Sequence, residues 1–488
     1  MTDQAKHKAQ TISGLRWTIL DQIINQITVF GIGFLLMQSL PPSSFGLLGM
    51  VTVFSGFLSV FKDFGLGSSL IQKKNINKLE INTVYWFTVL LGLFLTTSFF
   101  LASPLIARYY EEPSLAKIAR VISFLFLIQS LSSVHLSLMR KQMLFKKIFV
   151  IQVSSTILSG LAALVLAYGG HGVWALVFQQ IIKATLLTTF IFIAKSFLPR
   201  LSVKAESLNE HLNFSLPLVG RGALNYWARN ADNFFIGSNL GAEFLGIYSR
   251  AYSFMMLPIS RISGVISSVM FPSFSIIQED HDRLKDIFLK LSRLISFITL
   301  PMMLGLTYGA NSFVKLFFKE EWFAMIGVLE VLAMVGAIQS IGTLNGNIFL
   351  AKGKTLFDFK LSTFNSLVYI IGFYFSSKIS LMQVVIIYSI SNWIILGINW
   401  YFLAKILRIK FKILISNFSF QLSVFISLYL LFQLTRRFWQ NAVAPIIELS
   451  LVCFTVSFVW LAIFMIFRKD TVTEAKSMLF SLIRRENN

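Results

Sequence analysis

The chain has 488 residues, of which 55% are hydrophobic and only 13% charged, with a mean hydropathy of +0.71. This composition excludes an ordinary soluble domain and predicts an all-α polytopic membrane protein. The net charge of +21 does not indicate nucleic acid as a partner, because the basic residues lie between apolar segments rather than in one patch.

Apolar stretches long enough to cross a bilayer recur along the whole chain. Fourteen spans are predicted, at 12–39, 44–71, 82–107, 114–138, 147–169, 172–194, 213–238, 243–277, 288–310, 323–350, 357–377, 381–404, 414–434 and 444–467. Of the Lys and Arg residues, 29 fall on one side of these spans, 7 on the other and 7 inside them. The positive-inside rule therefore predicts that both termini lie in the cytoplasm.

An internal repeat relates the two halves of the chain. SLPPSSFGLL at 39–48 aligns with NLGAEFLGIY at 239–248, and LIARYYEEP at 105–113 is followed by a similar FVKLFFKEEW at 313–322. An even number of spans per unit predicts two parallel six-helix repeats, which would form two lobes around a central cavity. The predicted domains are an N-terminal lobe at 1–200, a C-terminal lobe at 201–412, and an additional helix pair with a cytoplasmic tail at 413–488.

Charged and amide side chains inside the spans form stripes at helical spacing. In the seventh span, four of them fall on one face: Arg221, Asn225, Arg229 and Asp232. In the eighth span, Arg250 and Arg261 also share a face. The first two spans carry a weaker set, consisting of Asp21, Asn25, Lys62 and Asp63.

A charge inside the bilayer costs at least a few kcal/mol, so these residues are functional candidates. An excess of Arg on facing stripes predicts an anionic substrate, because guanidinium pairs well with phosphate and carboxylate. The predicted substrate-binding residues are Arg221, Arg229, Arg250, Arg261, Asn225, Asn25 and Lys62. The carboxylates predicted to couple to an ion, a proton or sodium, are Asp21, Asp63 and Asp232.

A packing interpretation stays open for two adjacent pairs. Arg229 with Asp232, and Lys62 with Asp63, could neutralise each other and serve helix packing only. Lys183 stands alone in its span, where packing or snorkelling is the expected role.

Signatures of catalysis and of cofactors are missing from the sequence. The five His residues show no metal-ligand spacing, and there is no phosphate-binding G-x-x-x-x-G-K-[ST] motif. We therefore expect no catalytic residues, metal or cofactor, and an energy source in an ion gradient or in the gradient of the substrate itself.

Three stretches carry a family likeness: SFGLLGMVTVFSGFLSVFKDFGLGSSLIQKK at 44–74, the run from Asn230 to Gln278, and EEW at 320–322. They resemble polysaccharide flippases of the multidrug/oligosaccharidyl-lipid/polysaccharide (MOP) superfamily, in the Wzx-type and teichuronic-acid-exporter-like branch. The likeness implies two six-helix lobes with an appended helix pair, in a bacterial inner membrane.

The resemblance also implies a function. The protein would move an undecaprenyl-pyrophosphate-linked oligosaccharide from the inner to the outer leaflet, for surface polysaccharide such as lipopolysaccharide. The four Arg residues named above would then meet the pyrophosphate, with membrane lipids as further partners. The alternatives are a drug or cation antiporter of the same superfamily and a membrane-embedded polysaccharide polymerase or ligase. The short outer loops do not favour a polymerase or a ligase.

Overall fold

The computed structural model describes residues 3–194, 198–202, 204–439, 444–474 and 476, and within them the long elements are all helical. Apolar segments adopt helices in lipid because a helix satisfies its backbone hydrogen bonds internally. The α-helices are α1 (Asp3–Ser39), α2 (Pro42–Ser59), α3 (Leu66–Gln72), α4 (Lys78–Tyr109), α5 (Ser114–Lys141), α6 (Phe145–Tyr168), α7 (Val173–Ile193), α8 (Ala205–Leu240), α9 (Ala242–Ile276), α10 (His281–Phe317), α11 (Met325–Gly342), α12 (Asn345–Ala351), α13 (Thr355–Ser376), α14 (Leu381–Leu407), α15 (Phe411–Trp439) and α16 (Pro445–Phe467).

Each of the fourteen predicted spans coincides with a helix or with a helix broken in two. Among the described residues, 11 helical segments are long and apolar enough to cross a membrane. The prediction of an all-α polytopic membrane protein is confirmed.

The second predicted span is not one continuous helix, because α2 ends at Ser59 and α3 begins at Leu66. Phe64 and Gly65 between them have φ angles of 49° and 68°, which a right-handed helix cannot contain. The Asp63 carboxylate accepts a hydrogen bond of 3.0 Å from the Gly65 backbone N–H. The break therefore places Lys62 and Asp63 on irregular backbone within the span. The tenth span is also interrupted, between α11 and α12.

The chain divides into two compact units, Met1–Gly246 and Ile247–Asn488, called unit 1 and unit 2 below. In unit 1, α5 packs against α4 and α7, α6 packs against α1 and α7, and α8 packs against α2. The division by compactness differs from the domain boundaries predicted from the repeat, which stay a prediction.

Unit 2 is organised around α10, which packs against α11, α15 and α16, while α14 packs against α11 and α13. Its core is one large apolar cluster that includes Phe288, Leu300 and Phe464. The Trp460 indole of α16 donates a hydrogen bond of 3.1 Å to the Phe297 carbonyl of α10. Both helices of the predicted additional pair, α15 and α16, therefore pack against α10.

Inside unit 1, the first turns of α2 and α9 touch backbone to backbone. A Cβ on Gly46 would lie 1.6 Å from the Ala242 carbonyl oxygen, and a Cβ on Gly246 would lie 1.9 Å from the Pro42 carbonyl oxygen. A shift of 200 residues maps Pro42 onto Ala242 and Gly46 onto Gly246, so the contact is reciprocal. A two-fold relation between repeated segments produces a reciprocal contact of this kind.

Candidate functional site

A group of charged side chains converges in unit 1 from helices far apart in the sequence. Asp21 of α1 is half-buried, and the positive charges of Lys183 on α7 and Arg140 on α5 act on its carboxylate. The Asp21 Oδ1 atom is buried and accepts no hydrogen bond from the described residues. Sequence spacing could not relate Lys183 to Asp21, and its assignment to packing or snorkelling missed this neighbour.

The break between α2 and α3 brings two more charges to this group. The Lys62 ammonium donates a hydrogen bond of 3.1 Å to Gln129 Oε1 on α5. The charges of Asp63 and Arg140 also act on this ammonium group. The Ser133 hydroxyl of α5 donates to the other oxygen of Asp63 at 3.4 Å. Arg140 thus links the pair Asp21 and Lys183 with the pair Lys62 and Asp63, in a group of three cations and two carboxylates.

Asn25 lies four residues after Asp21 on α1, where α1 packs against α6. Its side-chain oxygen accepts a hydrogen bond of 2.8 Å from the Thr156 hydroxyl. The side chain is half-buried, and this bond joins two helices.

On α8, the structure separates two residues whose spacing suggested a pair. Arg229 is exposed and makes no ion pair or hydrogen bond with the described part of the chain, whereas Asp232 is only 8% exposed. Asp232 Oδ1 accepts a hydrogen bond of 2.8 Å from the Asn233 backbone N–H. Asn225 is exposed, so Arg229 and Asn225 are both accessible on α8. The packing interpretation of the Arg229 and Asp232 pair is not supported.

Two of the predicted arginines lie on α8 and α9. The side chains of Arg221 and Arg261 lie outside the described residues, although both positions are on helical backbone.

Arg250 lies half-buried on α9 in unit 2, eight residues after the helix begins at Ala242. At about 100° per residue, Phe254, Leu257 and Pro258 fall within roughly 80° of Arg250 around the helix axis. On the side of Arg250 away from Phe254 and Pro258, and beyond Leu257, the exposed Ser253 and Ser260 form a small polar face. Arg250 therefore marks the border between an apolar and a polar face of α9.

The apolar face of α9 lines a groove of ≈ 630 Å³ with α10 and α16. Its walls are apolar apart from a few small side chains, and Ser457 and Cys453 are among its lining residues. The other lining residues are Phe254, Leu257, Pro258, Phe297, Ile298, Pro301, Met302, Gly305, Leu306, Gly309, Phe313, Leu449, Val456, Trp460 and Leu461. The hydropathy pattern could not reveal this groove, because apolar residues that line it and apolar residues that face lipid look alike in sequence.

Comparison with known proteins supports the likeness seen in the sequence. Residues 35–327 match the sequence profile of a family described as "Polysaccharide biosynthesis protein". The lipopolysaccharide biosynthesis protein WzxC of Escherichia coli K12 is 30% identical over 74% of this chain and 74% of its own length. The teichuronic acid biosynthesis protein TuaB of Bacillus subtilis 168 is 25% identical over 82% of this chain and 84% of its own length.

Solved structures share the fold. The lipid II flippase MurJ in an inward closed conformation superposes with a TM-score of 0.71, at 16% identity, over 93% of this chain and 98% of that one. An inward-facing multidrug resistance MATE family transporter of the MOP superfamily superposes with a TM-score of 0.62, at 17% identity, over 79% and 94% of the two chains. The chain therefore belongs to the polysaccharide biosynthesis protein family, and it is a multi-pass membrane protein whose fold is shared by the MurJ and MATE structures.

Proposed function

We propose that this protein moves an undecaprenyl-pyrophosphate-linked oligosaccharide from the inner to the outer leaflet of a bacterial inner membrane by alternating access. The observation that carries the proposal is the position of Arg250, between an apolar groove and an exposed polar face of the same helix. A substrate with a long apolar tail, an anionic link and a polar head requires these three surfaces in this order.

The groove supports the placement of the tail. Pockets that bind drug-sized ligands have volumes of about 300–1,000 Å³, so ≈ 630 Å³ can hold several isoprene units. The groove walls offer almost no hydrogen-bonding groups, which suits a hydrocarbon and does not suit a sugar or a phosphate.

Arg250 supports the placement of the pyrophosphate. A guanidinium donates up to five hydrogen bonds in a planar fork and stays charged when it is partly desolvated. Arg229 in unit 1 is a second candidate contact, because it is exposed and makes no ion pair or hydrogen bond with the described residues. Arg221 and Arg261 stay predicted contacts.

The direction of transport and the coupling ion belong to the same proposal. The distribution of Lys and Arg favours cytoplasmic termini, and therefore a lipid-linked substrate loaded from the cytoplasmic leaflet. Asp21 is the carboxylate best suited to couple to a proton or sodium, because one of its oxygens is buried and accepts no hydrogen bond from the described residues.

A drug or cation antiporter is the alternative function. It would need carboxylates in excess at its binding site, because its substrate carries positive charge. The charged group of unit 1 instead holds Lys62, Arg140 and Lys183 against Asp21 and Asp63. This excess of cations favours an anionic substrate.

The test replaces Arg250 by Ala and by Lys in the source organism, together with an Arg229→Ala variant. We expect Arg250→Ala to reduce surface polysaccharide and to raise the cytoplasmic lipid-linked precursor, with Arg250→Lys retaining part of the activity because it keeps the charge. Arg283→Ala, at an exposed position in the first turn of α10, is the matched control. Normal export by Arg250→Ala at wild-type membrane levels would refute the pyrophosphate assignment, and an unchanged precursor level after deletion of the gene would refute the function.

A further inference from the structure

Unit 2 contains a group of neutral polar side chains on three helices that the charge pattern of the sequence did not reveal. Gln339 of α11 donates hydrogen bonds of 2.7 Å to the Tyr388 hydroxyl and 3.1 Å to Asn392 Oδ1, both on α14. The Tyr369 hydroxyl of α13 donates to the same Asn392 oxygen at 3.0 Å. We call these four residues the amide–phenol cluster.

Aromatic rings surround the cluster. The Tyr369 and Tyr388 ring centroids are 5.3 Å apart, and Phe373 lies 5.4 Å from Tyr388. Tyr252 of α9 adds a further ring, 6.4 Å from Tyr388. Tyrosine offers an apolar ring and a hydroxyl together, so these rings can contact both the C–H face and the hydroxyl groups of a ligand.

Helix packing alone does not account for Gln339. Hydrogen bonds between membrane helices contribute about 0.6 kcal/mol each, and an amide used only for packing would have both of its polar atoms engaged. Among the described residues, Gln339 is half-buried, its amide nitrogen is engaged twice, and its Oε1 is neither hydrogen-bonded nor sealed from the surroundings. One acceptor of the cluster is therefore available to a ligand.

The position of Tyr252 connects the cluster with Arg250. They are two positions apart along α9, a rise of about 3 Å, and they lie about 160° apart around the helix on the side of the exposed Ser253 and Ser260. In order around α9 come the apolar groove, Arg250, the serine face and Tyr252. A ligand bound at Arg250 and extending across the serine face therefore reaches the amide–phenol cluster.

We propose that Gln339, Tyr369, Tyr388 and Asn392, together with Tyr252, form a recognition site for the saccharide of the transported lipid. The proposal rests on the proposed function and adds to it the residues that distinguish a sugar from a bare pyrophosphate. Hydroxyl groups both donate and accept hydrogen bonds, as amides and phenols do, whereas a phosphate calls for cations and an ammonium group for carboxylates. Gln339, Tyr369 and Asn392 hydrogen-bond only to one another and to Tyr388 within the described part of the chain, and an amide or phenol side chain carries no charge at neutral pH.

The test compares two probes on protein in lipid nanodiscs. One probe is undecaprenyl pyrophosphate, and the other is the lipid-linked saccharide extracted from cells of the source organism that lack the gene. The variants are Gln339→Met, which keeps the side-chain length and removes the amide, and Tyr369→Phe, which removes one hydroxyl. Tyr308→Phe is the matched control. It also removes one tyrosine hydroxyl in unit 2, which donates to the Tyr429 carbonyl away from the cluster.

We expect wild-type protein to bind the lipid-linked saccharide more tightly than undecaprenyl pyrophosphate. Gln339→Met and Tyr369→Phe should lower affinity for the saccharide probe by about three- to tenfold, the contribution of one or two hydrogen bonds, and leave undecaprenyl pyrophosphate unaffected. Tyr308→Phe should change neither affinity.

The outcomes separate the two proposals. If wild-type protein binds neither probe, the proposed function fails. If it binds both probes equally, or if the cluster variants weaken both probes alike or neither, the flippase proposal stands and the saccharide site is refuted.

Discussion

Replacement of Gly46 by Ala tests the backbone contact between α2 and α9. The added Cβ would lie 1.6 Å from the Ala242 carbonyl oxygen, whereas real Cβ atoms essentially never come closer than 3.0 Å to such an atom. The two helix ends must therefore separate by about 1.4 Å, because a backbone carbonyl cannot rotate aside as a flexible side chain does.

Overpacking of this kind typically costs about 1–3 kcal/mol, and the backbone contact places Gly46→Ala toward the upper end of that range. The reciprocal variant, Gly246→Ala, meets the Pro42 carbonyl at 1.9 Å and should cost a similar amount. The double variant should cost less than the two single variants added together, because the first substitution already separates the helices.

The assay is thermal unfolding of detergent-solubilised protein, followed by the loss of the monodisperse peak in size-exclusion chromatography. Gly33→Ala is the control, because that helical position has no atom within 4 Å of the added Cβ. Alanine exceeds glycine in helix propensity by about 1 kcal/mol, so the control should be as stable as wild type or more stable. A Gly46→Ala protein with a wild-type unfolding temperature would show that the close contact does not form.

Three further experiments test other parts of the structure. Cys453 is the single cysteine of the chain and lines the groove. Undecaprenyl phosphate should therefore slow the modification of Cys453 by N-ethylmaleimide. Equal rates with and without the lipid would show that the prenyl tail binds elsewhere. Tyr226→Phe removes the hydroxyl that donates to the carbonyls of Thr52 and Val53 at 3.1 and 2.8 Å, and it should lower the free energy of unfolding by about 1 kcal/mol, which an unchanged unfolding temperature would contradict. Lys183→Met and Asp21→Asn should each reduce polysaccharide export, with no further loss in the double variant; additive losses would show that the two residues act independently.

The helices were predictable from the sequence because the bilayer imposes one simple requirement on every span. About 20 apolar residues in a row must form a helix, so each of the fourteen spans predicted from hydropathy coincides with a helix or with a helix broken in two. The break at residues 60–65 was not predicted, since hydropathy averages over a window and does not register backbone angles. The sequence Lys62–Asp63–Phe64–Gly65 inside an apolar segment was the available signal.

The candidate site was less predictable, because it depends on contacts between distant parts of the chain. Spacing within α8 suggested that Arg229 pairs with Asp232, but one side chain is exposed and the other buried. The charge pattern singled out Arg250, yet the groove beside it consists of apolar residues that resemble the rest of the membrane surface. Gln339 and Tyr369 carry no charge, so a search for charges inside spans passed over them.

The interrupted helix at α2 and α3 determines how this part of unit 1 can deform. The Lys141 ammonium of α5 donates to the Leu70 and Lys73 carbonyls, and the Ser69 hydroxyl is 2.6 Å from His211 Nδ1 of α8, so α3 is anchored at both of these neighbours. The irregular residues 60–65 lack a continuous i to i+4 ladder, and a change of direction there disrupts few helical hydrogen bonds. The backbone hydrogen-bond ladder is therefore weakest at residues 60–65, so a bend of α2 relative to the anchored α3 would be concentrated in this segment.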